Sequence, residues 1–391
     1  MEKALIFTGL IAALLVSPSG WSDPQPEQVI APRISGGGSR LSQLLGNDGL
    51  TGFASATEPR TFSFPADHGP HPGFRNEWWY LTGNLDGQDG ERFGFELTIF
   101  RFRLLPRDDR QQASRWQSDE VYIGHFAVTD ARNEKFYVAQ RASRGSMGLA
   151  GASAKPLHIW VEDWSLAATP DAPVVWRVQA ADQAMSLQLR LRSLKPPVLN
   201  GQDGLSRKSS EPGNASYYYS ISRLQSEGSL QIGAQRFAVT GYSWLDREWS
   251  SSALAKDQAG WDWFALQLDD GTDLMFYQLR GLDGSQDPHS AGTWIDGDGV
   301  ANYLDKDAVQ IVITDSWDST LGGRYPSGWQ LNVPGHGLRL DVTPVINNQE
   351  LNATVRYWEG AVNVSGTRNG DKIRGRGYVE LTGYADSTAT R

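Results

Sequence analysis

From residue 61 onward the chain is written in short alternating runs. FGFELTIFRFRL, residues 93–104, places Phe93, Phe95, Leu97 and Ile99 on one face of an extended segment. Gly94, Glu96, Thr98 and Phe100 take the other face, continued by Phe102 and Leu104. SLQLRLRSL is cleaner: Leu187, Leu189 and Leu191 point inward, Gln188, Arg190 and Arg192 outward, and Leu194 falls out of register at the strand end. GWDWFALQLDDGTDLMFYQLR reads as a hairpin turning at residues 269–272, with Trp261, Trp263, Ala265 and Gln267 on one face and Asp262, Phe264, Leu266 and Leu268 on the other. In NEWWYLTGNL, Trp78, Trp79 and Tyr80 are consecutive, so one of them must point away from the other two. The turn DGQDGE, residues 86–91, joins that strand to the Phe93 strand as antiparallel neighbours. Many further short runs separated by Gly and Asp turns predict an all-β chain of barrels or sandwiches. Helix is expected only around 250–257 and near Leu41, and the polar, Pro-containing stretch 195–214 reads as a long loop.

Composition supports that picture. The 391 residues include 15 Trp, 13 Tyr, 14 Phe and 42 Gly, a balance that suits strands joined by tight turns. A net charge of -9 argues against a nucleic-acid partner, because phosphate binding needs a basic face. The absence of Cys removes thiol nucleophiles, thiolate metal sites and disulfides. At the start, Lys3 precedes an apolar run over 4–16 that is short for a membrane span, and Gly20 and Ser22 have the spacing of a cleavage site. This predicts a signal peptide over 1–22 and a secreted or periplasmic protein; an uncleaved anchor is the alternative. Residues 23–60, rich in Pro, Gly and Ser, read as a flexible leader. The strands then divide near 250–260 into two β domains, 61–250 and 251–391.

Chemistry is sparser. His68 and His71, with Asp67 beside them, have the spacing of a partial metal site, but they sit in a Gly/Pro loop with no second pair nearby, so a surface-loop role is expected and no metal is assigned. No phosphate-binding or dinucleotide fingerprint occurs in its proper context, and no cofactor is implied. In SWLDREWSSS, Trp244, Asp246 and Glu248 share one strand face. A carboxyl against an indole favours its neutral form and can donate a proton; the alternative is a carboxylate pinned by Arg247 or another Arg. Glu77, Glu96 and Glu359 each follow or precede aromatic residues and read either as interior acids or as partners of Arg75 or Arg101. His125 lies mid-strand and faces core or pocket. The Trp261 and Trp263 face suits either an apolar ligand or a packed domain seam.

These blocks occur together in one order. FPADHGPHPGFRNEWWYLTGNL, FGFELTIFRF, NASYYYSISRL, VTGYSWLDREWSSS, GWDWFALQLDDG, YWEGAVNVSG and GYVELTGY resemble the AttH/CrtC family across residues 61–387. That family comprises lipocalin-like proteins labelled predicted secreted hydrolases or carotenoid 1,2-hydratase-like. The resemblance implies two lipocalin-like antiparallel β-barrel domains packed side by side, with a ligand at their interface. It further implies a hydratase- or hydrolase-like protein acting on an isoprenoid or lipid-like substrate. Asp246 would be the proton donor, with Tyr219 and Trp244 shaping charge. Glu77, Trp78, Tyr80, His125, Tyr217, Glu248, Trp261 and Trp263 would contact the substrate. Where the carotenoid branch has a His-x-Trp pair, this chain has Tyr217, Tyr218 and Tyr219. The alternative is a non-catalytic periplasmic carrier of an apolar ligand, working with an ABC-transporter-type membrane complex.

Overall fold

A computed structural model describes residues 51–106, 118–169 and 172–385. The expected signal peptide, the leader up to residue 50 and the helix near Leu41 lie outside the described residues. The described chain is β-structure, with two short 3-10 turns and no α-helix.

Two antiparallel sheets carry the fold. The first has 13 strands and runs from Asn76–Gly87 to Gln235–Ser252; the second has 10 and runs from Gln258–Leu268 to Asp371–Leu381. Each curls round its own apolar core. Trp79, Phe93, Phe95, Leu97, Leu187 and Leu189 belong to the first core, and Phe264, Leu266, Trp329, Trp358 and Val379 to the second. The sequence periodicities hold here. Leu187, Leu189 and Leu191 are buried, Arg190 and Arg192 are exposed, and Leu194 is exposed just past the strand. The strand Asn76–Gly87 pairs antiparallel with Arg92–Arg103 as the turn residues require. In the 269–272 turn, Asp270 Oδ1 accepts hydrogen bonds from the Thr272 N–H and hydroxyl, while Gly271 occupies φ +87°, a conformation that favours glycine.

Three expectations need correction. No helix forms over 250–257. Ser250, Ser251 and Ser252 instead extend the long strand Gln235–Ser252, because each hydroxyl finds a cross-chain partner: Ser250 donates to Asn76 Oδ1 at 2.7 Å, Ser251 donates to Ala54 O at 2.5 Å, and Ser252 accepts from Asn214 Nδ2 at 2.5 Å. Ala253 and Leu254 then pack against Trp78, Phe102 and Trp261. The 195–214 stretch is not a free loop. It returns Val198–Leu199 and Leu205–Arg207 to pair with the strand Ala215–Ile232, and it buries Lys195 and Lys208. Finally, the leader is docked where it is described. Ala56 is buried in the first core, and the carbonyl of Glu58 accepts the Tyr217 hydroxyl at 2.8 Å.

A third apolar cluster lies between the sheets. It joins Tyr80, Tyr218 and Trp244 of the first to Trp263, Met275 and Tyr378 of the second. Polar ties cross the same seam. Asn84 Nδ2 donates to Gly377 O at 3.0 Å, Thr129 donates to Gln349 Oε1 at 2.6 Å, and Lys195 Nζ meets Asp273 Oδ2 at 2.7 Å. Buried polar groups with fixed partners hold the two sheets in one register and give the space between them a defined shape.

Candidate active site

That space holds a cavity lined mostly by aromatic and apolar side chains with a few acids among them, the composition of a small-molecule pocket. Strand alternation decides which side chains reach it. Along Asn76–Gly87, Trp78 and Tyr80 face the cavity while Glu77 and Trp79 face the first core. Along Gln235–Ser252, Asp246 and Glu248 face the cavity and Arg247 faces the core. Along Ala215–Ile232, Tyr218 borders the cavity while Tyr217 and Tyr219 pack into the first core. Trp261 and Trp263 line the wall supplied by the second sheet, and His125 lines the first.

Three predicted positions therefore lie elsewhere. Tyr219 sits inside the first barrel, its hydroxyl 2.7 Å from His68 Nδ1. Tyr217 donates to the Glu58 carbonyl. Glu77 is fully buried among Arg101, Arg247 and His71. His68 and His71 are not surface-loop residues either: His71 stacks on Trp249 at 3.7 Å, and burial pushes the His68 imidazole down to about 4. Trp244 keeps its place beside Asp246 without bordering the cavity itself.

The Asp246 carboxyl is the most tightly held group of the cavity wall. Oδ1 accepts from Ser220 Oγ at 2.5 Å and from Trp244 Nε1 at 2.6 Å; Oδ2 accepts from the Tyr218 hydroxyl at 2.5 Å. The Tyr218 oxygen accepts in turn from Trp263 Nε1 at 3.2 Å. Among the described residues Asp246 has no ion-pair partner, and it is 4% exposed. Burial is the largest influence and favours the neutral acid, the three hydrogen bonds oppose it, and the nearby Glu248 adds to it. The balance places Asp246 at about 7. Replacing Tyr218 by phenylalanine is expected to raise that value further by removing one of the opposing hydrogen bonds. The carboxyl stretch of protonated Asp246 would follow this in an infrared pH titration, and an unchanged or lowered midpoint would contradict it.

Glu248 stands two residues along the same face and has a different environment. Its Oε1 meets Lys208 Nζ at 3.0 Å and accepts a short hydrogen bond from Ser216. Lys208 also donates to Ser206 at 3.1 Å and lies 4.3 Å from the centre of the Tyr277 ring. Burial works against the Lys208 ammonium, but the Glu248 carboxylate overcomes it, and the amine is held above its ordinary range.

The opposite wall is also acidic. Tyr80 donates to Glu359 Oε2 at 2.7 Å, and His125 Nδ1 lies 2.6 Å from the Tyr357 hydroxyl. Burial, reinforced by neighbouring carboxyls, raises Glu359 well above the usual carboxylate range, and burial lifts Glu380 to about 8. Burial pushes His125 down to about 4, so its imidazole is neutral near pH 7. Lys208 and Glu380 are cavity residues that sequence reading missed, since neither stands in a run that marks it. Among the described residues no cluster of His, Asp and Glu has the makings of a metal site.

A family model described as AttH-like matches residues 55–384. Kievitone hydratase of Fusarium solani subsp. phaseoli is 21% identical over 327 residues, covering 78% of this chain and 81% of that protein. Among solved structures, an AttH protein of Nitrosomonas europaea is 33% identical and superposes with a TM-score of 0.75, covering 85% of this chain and 99% of that one. Kievitone hydratase of Nectria haematococca, 14% identical, shares the fold with a TM-score of 0.62, over 86% of this chain and 99% of its own. With a match that spans both sheets and the cavity between them, the chain belongs to the AttH-like family.

Proposed function

We propose that this protein is a hydratase that adds water across a carbon–carbon double bond of an apolar, isoprenoid-like substrate held in the cavity, with Asp246 as the proton source. The observation that carries this reading is the Asp246 carboxyl itself: buried in the cavity wall, without a paired cation, and placed near 7. An acid tuned to the working pH is what protonation of a weakly basic alkene needs. The kinship with a hydratase supports the reaction class.

The Asp246 geometry suggests how the proton leaves. With Asp246 protonated on Oδ2, that proton is donated to the Tyr218 oxygen, and the Tyr218 hydroxyl hydrogen is free to turn toward the substrate. Tyr218 then passes on the proton that Asp246 supplies. The cation formed on the substrate lies among the rings of Trp78, Trp261, Trp263 and Tyr80, which line the cavity. Such ring faces stabilise a desolvated cation by about 2 kcal/mol each in favourable cases.

The test is turnover of a panel of terminal isoprenoid alkenes in heavy-oxygen water, read by mass spectrometry as labelled hydroxyl in the product. Asp246→Asn is expected to lower the rate by about 10²–10⁴-fold while the protein stays folded. Turnover by Asp246→Asn within a few-fold of the parent would remove Asp246 from the chemistry. A protein that retains bound alkene but incorporates no label would instead be a carrier.

A further inference from the structure

Hydration needs a second group. Once an alkene carbon is protonated, the attacking water must lose a proton, and Asp246 and Tyr218 are the donors in that step. We propose that Glu248 is the base that receives the proton of the attacking water. This rests on the hydratase reading above.

Asp246 and Glu248 occupy alternate positions of one strand, both bordering the cavity, so their backbones are about 6.6–6.8 Å apart. The two side chains therefore stand next to each other on one wall of the cavity. Their surroundings differ in the way acid and base assignments require. Asp246 has three hydrogen-bond donors and no paired cation. Glu248 is paired with the Lys208 ammonium at 3.0 Å. Lys208 and Ser216 both engage Oε1. Oε2 has no hydrogen bond within the protein among the described residues, so it is the oxygen left to meet a water. His125 also borders the cavity, but its Nδ1 lies 2.6 Å from the Tyr357 hydroxyl, and it stands on a different strand from Asp246.

The atoms balance. The alkene π pair takes the proton from the Asp246–Tyr218 unit and forms a C–H bond. A water oxygen bonds to the adjacent cationic carbon. An O–H bond of that water breaks, and its proton goes to Glu248 Oε2. Proton exchange with solvent then returns Glu248 to its carboxylate and Asp246 to its acid. Lys208 is a positioning residue that holds Glu248 by Oε1.

The experiment uses the full chain and the same panel of isoprenoid alkenes, in heavy-oxygen water and separately in deuterium oxide. Glu248→Gln alone leaves the buried Lys208 ammonium without its carboxylate, so the double variant Glu248→Gln with Lys208→Met is made beside it to keep the site neutral and folded. Hydration by both variants is expected to fall by about 10²-fold or more. Deuterium should still enter the vinylic positions, because protonation by Asp246 continues and reverses. This split between exchange and hydration is not what a merely structural residue would give. Hydration within a few-fold of the parent, or exchange and hydration lost together in the folded double variant, overturns the assignment of Glu248. If the parent protein hydrates none of the panel, the hydratase reading fails first, and the assignment falls with it.

Discussion

Replacing Glu77 with alanine is expected to destabilise the fold by on the order of 3–5 kcal/mol. Glu77, Arg101 and Arg247 are all fully buried in the first barrel. Each carboxylate oxygen takes a guanidinium: Oε1 that of Arg101 and Oε2 that of Arg247. The His71 backbone N–H adds a hydrogen bond at 3.1 Å. Burial alone would push this carboxyl up, but the two guanidiniums hold it well below the usual range. The cations depend on the site in turn. Arg101 also donates to the His71 and Phe74 carbonyls at 3.0 Å, and Arg247 lies 4.0 Å over the Trp79 ring while donating to Gly69 O at 2.6 Å. Removing the carboxylate leaves two desolvated positive charges facing each other, which costs more than the hydrogen bonds lost. Urea unfolding of the variant measures it. A loss below about 1 kcal/mol would mean that water enters and solvates the guanidiniums, and that the triad is not a structural keystone.

The second large effect concerns pH. Most proteins lose stability in acid; this one is expected to lose stability between about pH 4 and pH 8 as the solution becomes more alkaline. Asp246, Glu96, Glu359 and Glu380 all lie above the ordinary carboxylate range because they are buried. The sign follows from proton counts. In this window the unfolded chain has released these protons while the folded chain still holds them, so raising the pH favours unfolding. The stabilisation is complete below the unfolded value near 4 and is lost as pH rises through each folded value, about 7 for Asp246 and about 8 for Glu380. For Asp246 alone the difference is on the order of 4 kcal/mol. His68 and His125, both lowered to about 4, act in the opposite direction up to about pH 6.5. Comparing each variant with the parent cancels that contribution. Melting temperatures of Asp246→Asn and Glu359→Gln, taken against the parent at about pH 5 and pH 8, should show both variants gaining on it at the higher pH. A constant offset, or a parent that gains instead, would show that these acids are ionised in the folded protein.

Much of the fold was legible in the sequence because sheet periodicity is local. Leu187, Leu189 and Leu191 alternate with polar residues, and the 86–91 turn fixes the pairing of its strands without help from distant residues. The site was legible only by type. Asp246 and Trp244 could be picked out because a carboxyl beside an indole on one strand face is unusual. In Tyr217-Tyr218-Tyr219 and Trp78-Trp79-Tyr80, however, every position is aromatic, so the aromatic residues themselves do not say which parity faces the cavity, and a shift of one residue exchanges the faces. That is why Tyr217 and Tyr219 were expected at the cavity, which Tyr218 borders instead. A signal was present: Ser216 and Ser220 flank Tyr218 on its own face, small hydroxyls able to meet Glu248 and Asp246 on the facing strand. Glu77 was misplaced by the same ambiguity. Lys208 and Glu380 needed the tertiary structure, because their neighbours arrive from chain segments far apart.

The seam location of the cavity has a consequence for how such proteins can diverge. Asp246, Tyr218 and Glu248 come from the first sheet, whereas Trp261, Trp263, Tyr357 and Glu380 come from the second. Asp246, Tyr218 and Glu248 and much of the opposite cavity wall are thus encoded in separate halves of the gene. Substitutions accumulating in the second half can change which molecule fits while the first half stays untouched. Swapping the second half between two relatives would be a direct way to reshape the cavity around one unchanged set of first-sheet residues.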